Sequence, residues 1–261
     1  MVTLTLGLMT FCSLAAFIAG FIDSIAGGGG LITIPALLLC GIPPQNALGT
    51  NKVQACTGTL VSVFMFARGN FVVWRIALLG IPFALAGSGI GSTLALSLSS
   101  DVLGKVLLGM LPFAMCLTMI QPGKEPIQES PLAGTRFWVL TPLISVVIGA
   151  YDGFFGPGTG CFFILAFHWL LKRSLVQASA TTKVLNLSSN FSAMVVFMTS
   201  GVVLWPLALC MLAASVLGNW LGSRIAMRVG TKAVRFFLTI SLILLMLTLV
   251  WRYFVAPVMQ Q

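Results

Sequence analysis

Two aspartates and two lysines are set apart in this sequence by where they lie. Asp23 and Asp152 each end a long uncharged stretch and directly precede a glycine-rich run, while Lys52 and Lys183 lie several residues into the segment after the next short apolar run. A charge left unpaired at the centre of a membrane costs about 2.5–3.5 kcal/mol. We therefore expect all four side chains to be paired, solvated or facing a cavity. A shared ionic site is the functional interpretation, and two ion pairs that hold the glycine-rich breaks closed are the structural alternative.

The glycine-rich runs, GGGG at residues 27–30 and GPGTG at residues 156–160, predict breaks in helical structure. Within a membrane such backbone is tolerated only where it is buried in protein or lines a cavity. Short helices beginning at Leu31 and Cys161 would direct free N–H groups and positive dipole ends at that cavity, which attracts anions. Neither run ends in the G-K-[ST] signature of a nucleotide-binding loop. The backbone amides that we expect to bind substrate belong to Gly28, Gly29, Gly30, Gly158 and Gly160.

The lysines and their neighbours predict an anionic substrate. Lys52 and Lys183 supply positive charge. The polar residues predicted to bind beside them are Thr50, Asn51 and Thr182, and other polar residues nearby are Ser24, Gln54, Tyr151, Thr181 and Asn186. Serine and threonine also join helices by hydrogen bonds, which is the ordinary role of any single one. Asp23 and Asp152 are candidate gating groups or proton carriers, since a desolvated carboxylate can take up a proton. The alternative is that they only neutralise the lysines.

No constellation typical of an enzyme or a metal site is visible in the sequence. The six cysteines lie singly in apolar segments without a C-x-x-C pair, and His168 is the one histidine in the chain. Metal sites need clustered ligands at short spacing, and a serine hydrolase needs a histidine base within reach of its nucleophile. We therefore predict no catalytic residues, no metal and no cofactor, and we interpret His168 as structural.

The composition predicts that these residues lie in a membrane. Of the 261 residues, 58% are hydrophobic and only 7% are charged, against about 25% charged residues in an ordinary soluble domain. So few charges cannot solvate a soluble domain, which excludes a cytoplasmic enzyme, a DNA-binding protein and a disordered linker. The formal net charge is +9, but the basic residues lie singly or in pairs between apolar runs. That distribution fits the positive-inside rule and not nucleic-acid binding. The sequence predicts an all-α polytopic membrane protein.

About twenty apolar residues are needed to cross a bilayer as a helix. On that measure we predict eight crossings, roughly at residues 3–26, 45–67, 72–98, 102–120, 137–155, 175–199, 203–226 and 233–256. Two apolar runs at 29–42 and 159–171 are too short, and we interpret them as broken or re-entrant half-helices. Residues 121–136, with three prolines and clustered acidic residues, form the predicted linker between a first repeat (1–120) and a second repeat (137–261).

The two halves contain the same landmarks in the same order, at offsets of 129 to 131 residues. The matching positions are Ile22-Asp23 with Tyr151-Asp152, Lys52-Val53 with Lys183-Val184, Trp74 with Trp205, and Gly87-x-x-x-Gly91 with Gly218-x-x-x-Gly222. Equivalent loops exchange their basic residues: Arg68 and Arg75 of the first half have no counterpart at 199–206. By the positive-inside rule the halves then lie in opposite orientation. We predict two homologous halves arranged as an inverted repeat, as in many secondary transporters.

Both copies of the motif resemble a known family. The run GFIDSIAGGGG at residues 20–30, followed by Pro35 and Thr50-Asn51-Lys52, resembles the sulfite exporter TauE/SafE family of bacterial membrane transporters. YDGFFGPGTG at 151–160, with Thr182-Lys183, is similar to the C-terminal half of that family, although Thr159 interrupts the second glycine run. The resemblance covers essentially the whole chain. It implies a multi-pass permease of the bacterial inner (cytoplasmic) membrane, often for sulfur-containing anions such as sulfite, sulfonates and sulfoacetate.

We therefore expect a secondary transporter for a small organic or sulfur-containing anion that works by alternating access, with protons as a candidate coupling ion. An anion channel of similar build is the nearest alternative. A membrane scaffold or assembly factor is the alternative from another class, although it needs no duplicated buried charges. The expected partners are the small anion and the lipid bilayer, without nucleic acid, and a homodimer is an assembly that the sequence allows.

Overall fold

The computed structural model describes residues 5–118, 134–229 and 236, and this part of the chain is helical without strands. The all-α prediction is confirmed for these residues. Their helices are α1 (Leu6–Ala26), α2 (Gly30–Leu39), α3 (Pro44–Arg68), α4 (Trp74–Ser97), α5 (Ser100–Thr118), α6 (Thr135–Phe154), α7 (Thr159–Leu170), α8 (Leu175–Thr199) and α9 (Trp205–Val229). Apart from residue 236, the predicted crossing at 233–256 lies outside the described residues, and so does most of the predicted linker at 121–136.

Within the described residues, four helices are long and apolar enough to cross a membrane: α1, α4, residues 137–154 of α6, and α9. Large apolar side chains on these helices are exposed, as expected for a surface that faces lipid; examples are Phe11, Leu78, Val147 and Leu209. α3 and α8 coincide with predicted crossings and have 25 residues each. They are less apolar than the four because they carry the buried polar residues of the site. The total of eight crossings stays a prediction.

α2 and α7 are the predicted short helices, with 10 and 12 residues. Each turns back along the long helix before it. The Sγ atoms of Cys12, near the start of α1, and Cys40, which caps the end of α2, lie 3.8 Å apart. Phe163 and Phe167 of α7 pack in one apolar cluster with Phe137, near the start of α6. Most residues of both short helices are buried, so these helices lie inside the bundle.

Both short helices begin earlier than predicted. α2 begins at Gly30 instead of Leu31, and α7 begins at Thr159 instead of Cys161. Glycine is permissive enough to take helical dihedral angles, so Gly30 joins the first turn of α2. In the second break the limit is Gly158, whose φ of +82° lies outside the right-handed helical region. The non-helical breaks therefore contain fewer residues than the glycine content of the sequence suggests.

Helices of the two predicted halves are interleaved. α1 packs along α9, and α4 packs along α6. The surfaces in contact are the two small-residue motifs: a side chain at Gly91 would overlap the backbone carbonyl of Ala150, and one at Gly222 would overlap the carbonyl of Phe21. Two helix backbones approach so closely there that no Cβ atom fits. Gly87-x-x-x-Gly91 and Gly218-x-x-x-Gly222 are therefore helix-packing sites.

The turns of the bundle lie at two ends. At one end, which we call the α2 end, the start of α3 meets the segment before α9, where Asn46 Nδ2 donates to the Val202 carbonyl at 2.8 Å. At the other, which we call the α7 end, the segment between α3 and α4 meets α8, where the Val73 N–H donates to Thr181 Oγ1 at 3.0 Å. The short helices α2 and α7 thus end at opposite ends of the bundle.

Basic residues are concentrated at the α7 end. They lie near the ends of α3 and α9, directly after α7, or at the start of α4. These residues are Arg68, Arg75, Lys172, Arg173, Arg224 and Arg228. The end of α9 lies there because Met227 Sδ is close to Gly69. The α2 end has the oppositely charged Asp101 and Lys105, on the helix whose Ser100 Oγ donates to Gln45 at 2.9 Å.

Candidate functional site

Two buried ion pairs join the predicted halves. Lys52 Nζ lies 2.9 Å from Asp152 Oδ1, and Lys183 Nζ lies 3.0 Å from Asp23 Oδ2. Each lysine therefore meets the aspartate of the other half. All four charges that the sequence singles out are paired, which is one of the expected alternatives, whereas the crosswise pairing is not predictable from their spacing.

The Lys52–Asp152 pair is part of a hydrogen-bonded chain along α8. Lys52 Nζ donates to Asn190 Oδ1 at 3.0 Å, and Ser189 Oγ donates to Asp152 Oδ2 at 2.6 Å. Asn190 Nδ2 in turn donates to Asn186 Oδ1 at 3.2 Å. The side chains of Lys52 and Asp152 are only 1% and 3% exposed. A pair so deeply buried needs these additional hydrogen bonds because desolvation opposes the Coulomb attraction.

The Lys183–Asp23 pair holds the first glycine break. Lys183 Nζ also donates to the backbone carbonyl of Asp23, and that carbonyl accepts the N–H of Gly27 at 2.7 Å. Asp23 Oδ1 accepts the N–H of Gly29 at 3.2 Å. The side chain of Lys183 is fully buried, whereas that of Asp23 is 14% exposed. One aspartate thus links the end of α1, the break and α8.

The two glycine-rich breaks touch backbone to backbone. A Cβ atom added to Gly27 would overlap the backbone of Gly160, and one added to Gly160 would overlap Gly27. Gly27 has a φ of +79° and Gly158 a φ of +82°, which are left-handed conformations that favour glycine. In the second break the Tyr151 hydroxyl donates to the Pro157 carbonyl at 2.6 Å. Close approach and backbone conformation together explain the glycines here.

A small cavity lies among the breaks and the ion pairs. Its volume is about 30 Å³, which is room for about two water molecules. Its walls come from both predicted halves, including α1, α3, α6, α8 and α9. The predicted site residues that border it are Asp23, Gly29, Gly30, Asn51, Lys52, Asp152 and Gly160. The predicted site residues that do not border it are Gly28, Thr50, Gly158, Thr182 and Lys183.

The threonines beside the lysines contact helix starts. Thr50 Oγ1 accepts the N–H of Leu204 at 3.1 Å, and the equivalent Thr181 Oγ1 accepts the N–H of Val73 at 3.0 Å. Thr182 is fully buried, and its hydroxyl has no hydrogen-bond partner in the part of the chain that the structure describes. A role of Thr50 and Thr182 in substrate binding stays a prediction.

Five carboxamide side chains border the cavity, and the sequence indicates only three of them. Asn51, Gln54 and Asn186 are among the polar residues near the motifs, but Asn190 and Asn219 are not. Asn190 lies one helical turn after Asn186 and two turns after Lys183, so these residues share a face of α8. Helical spacing from the lysine is therefore the signal that could have identified Asn190.

Gln54 has an acceptor atom without a hydrogen-bond partner in the described part of the chain. Its Nε2 donates to Asn51 Oδ1 at 2.8 Å, and the same oxygen accepts Thr33 Oγ1 at 2.5 Å. Gln54 Oε1 is buried beside the cavity without a partner among the described residues. The carboxamide of Asn219 is engaged at both atoms: its Oδ1 accepts Ser62 Oγ at 2.8 Å and its Nδ2 donates to the Ser215 carbonyl at 2.9 Å.

No three His, Cys, Asp or Glu side chains come together as a potential metal site in residues 5–118 and 134–229. His168 is buried, and its Nδ1 lies 2.8 Å from the Arg173 carbonyl. This contact is local to the end of α7 and agrees with the structural interpretation of His168. The predicted lack of a metal or cofactor stays a prediction.

Known proteins similar to this chain are membrane transporters by name. A family model described as "Sulfite exporter TauE/SafE" matches residues 12–249. The chain is 43% identical to the "Probable membrane transporter protein ORF9" of Sinorhizobium sp, over 93% of this chain and 92% of that protein. It is 38% identical to the "Probable membrane transporter protein YfcA" of Escherichia coli (strain K12), over 89% and 84% of the two chains. A probable membrane transporter protein of Haemophilus influenzae is 40% identical, over 86% and 87%. No solved structure matches.

Proposed function

Since this chain belongs to the sulfite exporter TauE/SafE family of membrane transporters, we propose that it is a secondary transporter of a small anion and not an enzyme. A sulfur-containing or organic anion, such as sulfite or a sulfonate, is the substrate class that the family description favours. The observation that carries the proposal is a polar cavity at the contact of two glycine breaks, bordered by Lys52 and enclosed by ion pairs between the halves.

The proposed binding groups are Lys52 and backbone amides of the two breaks. α2 and α7 begin at the cavity wall, at Gly30 and Thr159, so the positive ends of their dipoles favour an anion there. Asn51 adds a side-chain amide at the same wall. The predicted residues that do not border the cavity, Gly28, Thr50, Gly158, Thr182 and Lys183, are assigned to holding this wall in place.

The proposed mechanism is alternating access by two halves of opposite orientation. Matching contacts at opposite ends support it: Thr50 accepts the N–H before α9 at the α2 end, and Thr181 accepts the N–H before α4 at the α7 end. Both ion pairs also run between the halves. A site shared by two such halves can open to one end at a time as one half moves against the other.

The proposed location is the bacterial inner membrane, with several crossings and the α7 end in the cytoplasm. The basic side chains that end α3, follow α7 and end α9 support this orientation, since cytoplasmic ends of membrane proteins carry an excess of lysine and arginine. At the α2 end the nearby Asp101 offsets the charge of Lys105. The names of the bacterial relatives support a membrane protein.

Anion flux in proteoliposomes tests the proposal. We expect saturable uptake of labelled sulfite or methanesulfonate, accelerated by unlabelled anion inside the vesicles, because a transporter exchanges its substrate across the membrane. A channel would instead saturate poorly and show no such counter-transport. Lys52→Ala is expected to abolish the flux. The matched control is Lys105→Ala, on an exposed position of α5, which should retain it.

Two results would count against the proposal. Lack of flux for sulfite, methanesulfonate and acetate in the reconstituted protein would contradict small-anion transport. Unchanged flux in both Lys52→Ala and Lys183→Ala would contradict the assigned site while leaving the transport activity intact.

A further inference from the structure

We infer that the two ion pairs have different tasks. The Lys52–Asp152 pair is an exchange site, in which a substrate anion takes the place of the Asp152 carboxylate at Lys52 while that carboxylate takes up a proton. The Lys183–Asp23 pair is a latch that stays closed during the exchange. This inference rests on the proposed anion transport. It adds the assignment of Lys52 and Asp152, among the four charged residues, as the pair that couples the anion to a proton.

Access to the cavity separates the two pairs. Lys52, Asp152 and Asn190 all border the cavity, whereas Lys183 does not. An anion in the cavity therefore meets the Lys52 ammonium directly. Lys183 is fully buried behind its own partner Asp23, whose side chain borders the cavity. An anion can replace a carboxylate only at a lysine that it can reach.

Charge balance requires that a proton accompanies the anion. With all four groups ionised, the two lysines and two aspartates sum to zero net charge. A monovalent anion added to this buried site would leave one uncompensated negative charge, which surroundings of low permittivity make costly. Uptake of one proton by a carboxylate restores neutrality. Lys52 stays an ammonium, Asp152 changes from carboxylate to carboxylic acid, and no covalent bond to the substrate forms. The transported unit is one anion together with one proton.

The hydrogen-bond and ionic partners that remain after protonation favour Asp152 over Asp23 as the proton acceptor. Once Asp152 is neutral, Ser189 Oγ can still hydrogen-bond to it, and Lys52 keeps its bond to Asn190 while the anion supplies the negative charge. Protonation of Asp23 would remove the carboxylate that neutralises the fully buried Lys183. No anion in the cavity could replace it, and an uncompensated buried ammonium is strongly destabilising.

Few titratable or charged groups surround Asp152 in the described part of the chain. Those beside it are Lys52 on α3 and Tyr151, its neighbour on α6, and Asp23 on α1 borders the same cavity. Cys161 on α7 lies by the other pair, Asp23 and Lys183. At this level α4 and α8 contribute Ser88 and Ser189, which do not titrate. The Tyr151 hydroxyl donates to the Pro157 carbonyl, and the Cys161 thiol donates to the Ala26 carbonyl. The choice of a proton acceptor is therefore between the two aspartates.

Methanesulfonate binding by the purified full-length protein tests the inference, measured by thermal-shift titration over a series of pH values. This anion keeps a single negative charge throughout, so any pH dependence belongs to the protein. We expect the wild-type affinity to fall about tenfold per pH unit once Asp152 is ionised in the free protein, because one proton binds with the anion. Asp152→Asn imitates the neutral acid and should bind without this slope. Asp23→Asn should retain the slope.

Two double variants keep the test informative if a single variant does not fold. One variant combines Lys52→Gln with Asp152→Asn, and the other combines Lys183→Gln with Asp23→Asn. Each removes one whole pair, so neither leaves a buried charge without a partner. We expect the first double variant to lose methanesulfonate binding. The second removes groups that hold the cavity wall, so its affinity should fall, but it should keep the tenfold pH slope because the Lys52–Asp152 pair is intact.

The outcomes separate this inference from the proposed function. A wild type that binds none of methanesulfonate, sulfite and acetate contradicts the proposed function itself. Binding without pH dependence in the wild type leaves anion binding in place and overturns the exchange. The assignment of tasks is overturned if the pH slope of binding persists in Asp152→Asn. It is also overturned if the Lys183/Asp23 double variant loses binding while the Lys52/Asp152 double variant retains it.

Discussion

The two ion pairs occupy equivalent positions in the two predicted halves, yet their surroundings differ. Lys52 has a neutral second acceptor, Asn190, and its partner Asp152 has a hydroxyl donor from Ser189. Lys183 has instead the backbone carbonyl of its own partner, Asp23. One lysine therefore belongs to a side-chain network open to the cavity, and the other is fixed to a backbone turn.

Neutral neighbours produce this difference. The residue equivalent to Ser189 in the first half is Gly58. The residue equivalent to Gln54 is Leu185, and the residue equivalent to Asn219 is Ser88. Both halves keep the lysine and the aspartate while the hydrogen-bonding residues around them differ. Repeated charges thus locate a site, and the neutral residues beside each charge indicate what that charge can do.

Removing the counterion of the enclosed lysine has the largest expected effect. We predict that Asp23→Ala lowers the free energy of unfolding by about 3–5 kcal/mol, because the fully buried Lys183 is left without compensation. Lys183→Ala should cost less, since the remaining carboxylate borders the cavity and can be hydrated. Thermal denaturation in detergent measures both. An equal or larger loss in Lys183→Ala would contradict the described difference in enclosure.

The contact between the glycine breaks connects the two pairs and should be the next most sensitive. We predict that Gly160→Ala destabilises the protein by about 1–3 kcal/mol, because the added methyl group overlaps the backbone of Gly27 and forces the breaks apart. Gly7→Ala is the control, since nothing lies within 4 Å of a Cβ atom there. Melting temperatures of the two variants should differ clearly; equal values would mean that the breaks separate freely.

The two equivalent threonines are a place where the halves should not differ. Thr50→Val and Thr181→Val each leave one backbone N–H, of Leu204 and Val73, without its acceptor, so we predict similar losses of about 1–3 kcal/mol. Thr93→Val, on an exposed face of α4, should change stability by less than about 0.5 kcal/mol. Chemical denaturation of the three variants measures the losses. Clearly unequal losses at positions 50 and 181 would show that divergence extends beyond the ion pairs.

Exchanging a cavity residue for its counterpart should have the smallest effect. Gln54→Leu makes position 54 identical to position 185 and removes an oxygen without a partner together with one hydrogen bond to Asn51. We predict a change in the free energy of unfolding of less than about 1 kcal/mol, because the two contributions have opposite sign. The same denaturation assay measures it. A loss above about 2 kcal/mol would mean that Gln54 holds the cavity wall together.

Much of the fold and part of the site could be predicted from sequence. Apolar length and glycine content indicated the long helices and the two short ones, and repeated position identified Lys52 and Asp152 as unusual. The helix starts at Gly30 and Thr159 could not be placed, because glycine and threonine are compatible both with a break and with a first helical turn. Asn190 was missed because it looks like any polar residue on a long helix until its neighbour across the bundle is known.

The sequence by itself determined that most of the chain is apolar, that four charges lie within apolar segments, and that glycines interrupt the chain beside the aspartates. These properties depend on composition and local spacing. Only the tertiary structure decided that Lys52 contacts Asn190, 138 residues away, and that Lys183 contacts Asp23, 160 residues away. The physical reason is that these contacts depend on α3 packing against α8 and on the two glycine breaks meeting beside the end of α1, and no local pattern specifies which lysine then faces which aspartate.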